Sequence, residues 1–345
     1  MDGAHSSMSD RAAQRRDFVV RAGWADAEER LLAGDASFRK YFRLTRSNGT
    51  ATPTAVVMDA PAPWEDVRPF VRIGKHLLAM KLSAPEIHAI DEANGFLLLE
   101  DLGDDTFARV LANGGDETAL YAHATDVLAA VHAAPEHGLL PDLGGYEGEA
   151  LIEAAILLPE WYLAEATGRT TPAEVMESYR ATWRTCLANL PGGPGALLLR
   201  DFHKDNLLWL PQRPGVRACG LLDFQDAQRG HPSYDLVSLI EDARRDVSPA
   251  VHAACLARYL AATGLDAQDF RTGFALMAAQ RHARIIGTFA RLCVRDAKPH
   301  YLEHLPRVWR LLEATLAHPR LGPLRSWFDR ALPPAARGRP AALAA

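Results

Sequence analysis

The chain has 345 residues, a formal net charge of −5 and 48% hydrophobic residues. That length predicts two lobes rather than one core, and the acidic balance argues against a nucleic-acid partner, whose contact surface is normally basic. Cys186, Cys219, Cys255 and Cys293 form no C-x-x-C pair, which argues against a disulfide framework or a zinc site. Residues 1–10 carry no apolar core of a signal peptide, and no apolar run approaches the ~20 residues of a membrane span. A cytoplasmic protein is expected.

In chain order, residues 1–10 read as a mobile tail and Arg11 to Ala22 as a helix. Glu28 to Leu102 is mainly strand. Phe38 to Thr45 alternates, Thr54 to Met58 is β-branched, and Glu86 to Glu100 makes two runs around Asn94-Gly95, a hairpin signal. Trp64 to Met80 is helical in pattern. Beyond Gly103, the expected hinge, helices are predicted over Glu117–His132, Glu149–Ala166 and Pro172–Leu190. They are also predicted over Tyr234–Arg244, Pro249–Ala262, Ala267–Val294 and Pro299–Ala317. Residues 332–345, rich in Pro, Ala and Arg, read as a second tail. The predicted domains are therefore 11–102 and 103–331.

Three short apolar runs frame the most informative segment. Ala196 to Leu199 and Leu207 to Leu210 flank Arg200-Asp201-Phe202-His203-Lys204-Asp205-Asn206, and Cys219 to Leu222 leads into Asp223-Phe224-Gln225-Asp226. The pattern D-x-x-x-x-N followed by D-F suits phosphoryl transfer. That reaction needs an acid group to orient a hydroxyl, and hard oxygen ligands to hold Mg²⁺ on the phosphates. Asp201 can fill the first role, Asn206 and Asp223 the second. Asp and Asn also favour turns, so each alone reads equally as a loop residue; the set with its flanking strands does not.

These residues resemble the protein-kinase-like superfamily of small-molecule kinases, in its aminoglycoside phosphotransferase and choline kinase branch. Leu222-Asp223-Phe224-Gln225-Asp226-Ala227 and Tyr234-Asp235-Leu236 carry the resemblance beside Asp201 and Asn206. The string from Asp223 through Leu239, with Gly34 to Arg43, Val56 to Pro61 and Gly95 to Gly103, is most similar to bacterial anomeric kinases of N-acetylmuramate and N-acetylglucosamine that serve cell-wall recycling. The resemblance runs from Gly34 to about Asp329.

It implies an α+β, protein-kinase-like fold with a small β-rich N-lobe and a larger, mainly helical C-lobe. It implies ATP as phosphoryl donor, Mg²⁺ as cofactor and a small sugar as substrate, with no nucleic-acid or membrane partner expected; the sequence leaves the oligomeric state open, with a monomer as one option. Asp201 and His203 become the catalytic residues, with His203 donating to the transferring phosphoryl group or simply facing solvent. Asn206, Asp223 and Gln225 become the metal set. Gly34, Asp35, Ala36, Ser37, Phe38, Arg39, Glu100 and Leu102 become the nucleotide contacts. Glu160, Trp161 and Arg284 become acceptor contacts: Trp161 as a stacking platform or a core residue, Arg284 as partner of a lactyl carboxylate or a tie between helices. Asp235 is expected to anchor the catalytic loop or cap a helix.

Two departures stand out. Met58 replaces the third-strand Lys that pairs phosphates, leaving Arg39, Lys40, Arg72 and Lys75 as substitutes. Leu199 replaces a supporting His. They motivate a second reading, a pseudokinase regulating a partner; within enzymes, an aminoglycoside or amino-alcohol kinase is the alternative.

Overall fold

The computed structural model describes residues 2–34, 38–47, 52–133, 140, 142–188, 190, 191 and 195–340. The chain divides into two compact units, Met1–Gly114 with Asp205–Asp226, and Gly115–Lys204 with Ala227–Ala345. The sequence boundary at Gly103 therefore falls inside the first unit. The segment carrying Asn206 and Asp223 packs with that unit although it comes late in the chain.

The first unit is an antiparallel five-stranded sheet. Its strands are β1 (Glu28–Gly34), β2 (Lys40–Thr45), β3 (Thr54–Asp59), β4 (Ile87–Asp91) and β5 (Phe96–Glu100), in the order β1-β2-β3-β5-β4. Alternation decides its faces. Ala55, Val57, Phe96 and Leu98 join Phe18 and Val19 of helix α1 (Asp2–Arg21) in one core. The intervening Val56 and Leu99 face a cavity. Helix α1 starts at Asp2 rather than Arg11, so residues 2–10 are helical where a tail is expected. Arg15 bonds Asp59 and Glu29, which ties α1 to the sheet.

The β4–β5 turn is glycine-dependent at one point. Gly95 has φ +69°, and a Cβ there would lie 2.0 Å from the Ala60 carbonyl oxygen. Helix α2 (Arg68–Ala79) is shorter than the expected Trp64–Met80. A further helix, α3 (Phe107–Ala112), starts from a Thr106 cap that bonds the Arg109 N–H at 3.1 Å. The strands Leu207–Trp209 and Cys219–Leu221 pair as an antiparallel hairpin.

The second unit is mainly helical. The helices Glu117–His132 and Ala267–Val294 begin and end where expected. Both follow an aspartate cap, Asp116 on the Ala119 N–H and Asp266 on the N–H groups of Gln268 and Asp269. The predicted helix Glu149–Ala166 is interrupted: an α-helix over Glu149–Ala155 gives way to a π-helix over Leu158–Leu163. Ala196–Leu198 pairs with Gln228–Gly230. Residues 332–340 are not a free tail. Leu332 is fully buried, Tyr162 Oη donates to the Ala336 and Gly338 carbonyls (2.9 and 2.8 Å), and Arg337 bonds Glu313 and Asp329. Among the described residues no helix is long and apolar enough to cross a membrane.

Candidate active site

Each unit contributes one aspartate to the pattern singled out above. In the first unit, Asp223 ends the hairpin with φ +57°, a left-handed conformation uncommon for a residue with a side chain. The hairpin holds it there. The Leu222 N–H donates to the Asn206 carbonyl at 3.0 Å, and the Phe224 ring stacks on Phe70 of α2 at 4.8 Å. Gln225 Nε2 donates to Asp223 Oδ1 at 2.7 Å, and Asn206 Nδ2 lies 3.4 Å from Asp223 Oδ2. Asp223, Asn206 and Gln225 are thus brought together as expected.

Their chemistry fits a hard divalent cation. Gln225 Oε1 is buried with no hydrogen-bond partner among the described residues, and a buried acceptor left so is normally filled by water or an ion. Among the described residues no group of three or more His, Cys, Asp or Glu could hold a metal. A site of one carboxylate and two amides suits Mg²⁺, which keeps several waters and draws further oxygens from substrate phosphates.

Beside Asp223 the same unit encloses a cavity of about 320 Å³. Leu32, Val56, Phe70 and Leu99 form apolar walls, and Glu100, Leu102 and Asn206 also line it. A planar, mainly apolar heterocycle matches such a lining. The strand end at Glu100 is well braced: Arg213 pairs with the Glu100 carboxylate, and Arg43 pairs with Asp101 at 2.7 Å and Asp104 at 2.8 Å.

Gly34 ends β1, while Asp35, Ala36 and Ser37 lie outside the described residues. Phe38 is 61% exposed and stacks on the exposed Trp64 at 5.3 Å. Arg39 pairs with Glu65 at 2.9 Å, each side chain 12% exposed, and Glu65 also accepts the Phe38 N–H at 3.1 Å. Burial lowers the Arg39 pKa, but Tyr41, Glu65, Asp223 and Asp226 together hold it above the ordinary value. Met58 is buried on β3, and Lys40, Arg72 and Lys75 are exposed. Of the four candidate cations, Arg39 is the one fixed in place and acting on Asp223. Sequence reasoning missed Glu65; a single acidic residue 26 positions beyond Arg39 carries no local pattern.

In the second unit, Asp201 follows Arg200, which has φ +70°. Asp235, fully buried, accepts the N–H groups of Leu199 (2.5 Å) and Arg200 (3.0 Å), and so fixes that turn. Burial pushes the Asp235 carboxyl up to about 7, against the lowering effect of those two N–H groups. The expected anchoring role is therefore seen in its contacts. The Arg200 guanidinium lies over the Tyr146 ring at 3.7 Å.

Asp201 is surrounded by cations. Burial raises its carboxyl, but Arg284, His203, Arg281 and Arg200 hold it below the ordinary carboxylate value. Arg284 Nη2 is 3.9 Å from Asp201 Oδ1. His203 does not face solvent; it is 7% exposed, and burial with Arg244 pushes it down to about 4. It is neutral at pH 7 and can donate one N–H.

Trp161 and Glu160 lie in the π-helical turn, Trp161 half-buried and Glu160 exposed. That turn packs on the long helix at Gly287, where a Cβ would lie 2.1 Å from the Leu157 carbonyl carbon. Gly287 is one turn beyond Arg284, and Glu160 acts on Arg291 one turn further along the same helix. π-Turns of this kind often mark functional positions, and no residue pattern announced this one.

A family model described as "Phosphotransferase enzyme family" matches residues 28–273. This chain belongs to the phosphotransferase enzyme family. The phosphotransferase is 38% identical to the N-acetylmuramate/N-acetylglucosamine kinase of Caulobacter vibrioides, over 94% of this chain and 98% of that protein. It is 37% identical to the kinase of the same name from Pseudomonas aeruginosa, over 87% of this chain and 88% of that one. Its fold is that of a choline/ethanolamine kinase family protein from Mesorhizobium loti, with a TM-score of 0.62 at 15% identity, covering 94% of this chain and 99% of that chain. The phosphotransferase thus has the protein-kinase-like α+β fold that its motifs imply.

Proposed function

We propose that this phosphotransferase is an ATP- and Mg²⁺-dependent kinase of the anomeric hydroxyl of N-acetylmuramate and N-acetylglucosamine, releasing a sugar 1-phosphate for cell-wall recycling in the cytoplasm. The observation that carries the reading is Asp201, kept ionised by the neighbouring arginines, Arg284 above all, on a turn pinned by Asp235. The names of the curated relatives supply the acceptor.

Asp201 accepts the hydroxyl proton as the sugar oxygen attacks the γ-phosphorus, and ADP departs. His203 donates its N–H to the phosphoryl group. Asn206, Asp223 and Gln225 would hold Mg²⁺, which when bound neutralises phosphate charge. The cavity lined by Glu100 and Leu102 takes adenine, and Gly34, Phe38 and Arg39 contact the nucleotide. Glu160, Trp161 and Arg284 contact the acceptor.

A polycationic aminoglycoside fits less well, because Arg281 and Arg284 would repel it. A pseudokinase has no use for Asp201, Asn206 and Asp223 together. The test is ATP consumption against N-acetylmuramate, N-acetylglucosamine, glucose, choline and kanamycin, with ³¹P NMR of the product. Turnover of the two amino sugars with phosphorus on C1 is expected. Turnover of kanamycin or choline alone would overturn the acceptor, and bound ATP with no turnover would favour the pseudokinase.

A further inference from the structure

The long helix carries two arginines whose hydrogen-bonding capacity is only partly used among the described residues. Arg281 is 2% exposed, yet its Nε and Nη1 are buried without a hydrogen-bond partner among the described residues. Arg284, one turn on, has an unpartnered buried Nε as well, and its Nη2 stands 3.9 Å from Asp201. Tyr234, fully buried, neighbours both arginines. Buried guanidinium N–H groups left unbonded are costly, and two adjacent cations repel each other. A fold keeps such an arrangement where an anion arrives to use it.

The position says which anion. Arg284 stands at the carboxylate that receives the hydroxyl proton, so it lies at the reacting oxygen rather than at a remote substituent of the acceptor. We propose that Arg281 and Arg284 form a phosphate subsite on the acceptor side, which binds the phosphoryl group as it becomes a phosphate monoester. This rests on the kinase reading above and replaces the lactyl carboxylate as the partner of Arg284.

The charges balance through the step. Before transfer, the Asp201 carboxylate partly neutralises Arg284. During transfer the O–H bond of the acceptor breaks and its proton goes to Asp201, the new O–P bond forms, and the bond from the γ-phosphorus to ADP breaks. Asp201 is then neutral, and Arg284 exchanges it for the oxygens of the new monoester, with Arg281 and the Tyr234 hydroxyl behind it. The interaction is strongest in the transition state and product, which is where it accelerates the reaction.

The experiment compares wild type with Arg284→Gln and Arg281→Met, with circular dichroism and thermal melting as the check on folding. Arg284→Lys, which keeps the charge but loses the planar fork, is the second variant should Arg281→Met not fold. Kinetics are measured on N-acetylglucosamine, a neutral acceptor, and N-acetylmuramate, which bears a carboxylate. Binding of inorganic phosphate is measured by calorimetry with MgADP saturating the nucleotide site. The expected result is a kcat loss of about 10²-fold on both acceptors alike, the size typical of one oxyanion donor, together with weakened phosphate binding. A rise in KM on N-acetylmuramate alone, with kcat and phosphate binding intact, would make the pair a carboxylate subsite and overturn the proposal. Unchanged phosphate binding in Arg284→Gln would also overturn it. The calorimetry needs no acceptor, so it still reads the subsite if neither sugar is turned over, an outcome that instead sinks the amino-sugar reading.

Discussion

In the proposed mechanism two aspartates carry the chemistry, one in each compact unit, and their surroundings differ. Asp223 has an amide on each side, from Gln225 and Asn206, a buried amide oxygen nearby without a partner among the described residues, and one arginine, Arg39, acting on it. Asp201 has three arginine neighbours, Arg284, Arg281 and Arg200, with His203 beside them. Amides leave a carboxylate's charge available to a cation that comes with the substrate. Arginines hold the charge ready to accept a proton. On the proposed reading the same side chain is directed to metal binding in one place and to proton transfer in the other. Both depend on a left-handed backbone, at Asp223 itself and at Arg200 before Asp201.

The sharpest way to break this comparison is to neutralise each aspartate. Asp201→Asn should lower kcat by about 10³-fold, within the range of a general base, and leave MgATP affinity unchanged. Asp223→Asn should lower turnover as strongly but also abolish the difference between ATP binding with Mg²⁺ and with EDTA. If calorimetry shows both variants binding MgATP like wild type, the division of labour is wrong.

Asp235 tests how far the Asp201 turn depends on its anchor. Asp235→Ala leaves two backbone N–H groups without an acceptor, each costing about 1–3 kcal/mol, and should reduce kcat by about 10²-fold through misplacement of Asp201. Chemical denaturation and steady-state kinetics read the two effects. Asp235 also has a pH signature. Its folded pKa of about 7 lies above the unfolded value, so the folded state holds the proton more tightly. Its contribution to stability is complete below about pH 4 and is lost as pH rises towards 7. Asp235→Asn should flatten the melting temperature over that window; an unaltered pH slope would count against the raised value.

On the Asp223 side, Arg39→Met should raise KM for ATP about tenfold, and Glu65→Gln by less, because Glu65 acts through Arg39. Neither should alter KM for the sugar. Equal effects on both substrates would point to a structural ion pair. The smallest expected change is a shift of the acid limb of the pH–kcat profile in Arg284→Gln. Loss of the neighbouring cation raises the Asp201 pKa, so the limb should move to higher pH. A stationary limb would show that Arg284 does not govern that proton.

Elements with local signals were legible in the sequence. The helices after Asp116 and Asp266 could be placed because a short acidic cap and a sustained apolar period both lie in the chain itself. Asp201, Asn206 and Asp223 were legible as a set because their spacing and flanking strands are also local. Other features depend on partners distant in sequence. His203 reads as a loop residue, and only the fold buries it. Met58 marked a missing cation, but the choice of Arg39 over Lys40 rests on Glu65, which comes after β3. The π-turn at Leu158–Leu163 arises where the long helix approaches at Gly287, and the packing of residues 332–340 depends on Tyr162 and Arg337.

That packing has a practical side. Tyr162, whose hydroxyl holds the Ala336 and Gly338 carbonyls, is the neighbour of Trp161 in the π-turn. Residues 336–338 are therefore a strap over the turn proposed for the acceptor. A truncation after Ala331, or a fusion that displaces residues 336–338, would act as a remote change to sugar recognition. For engineering or assay work, the terminus that looks most expendable in the sequence is a poor place to cut.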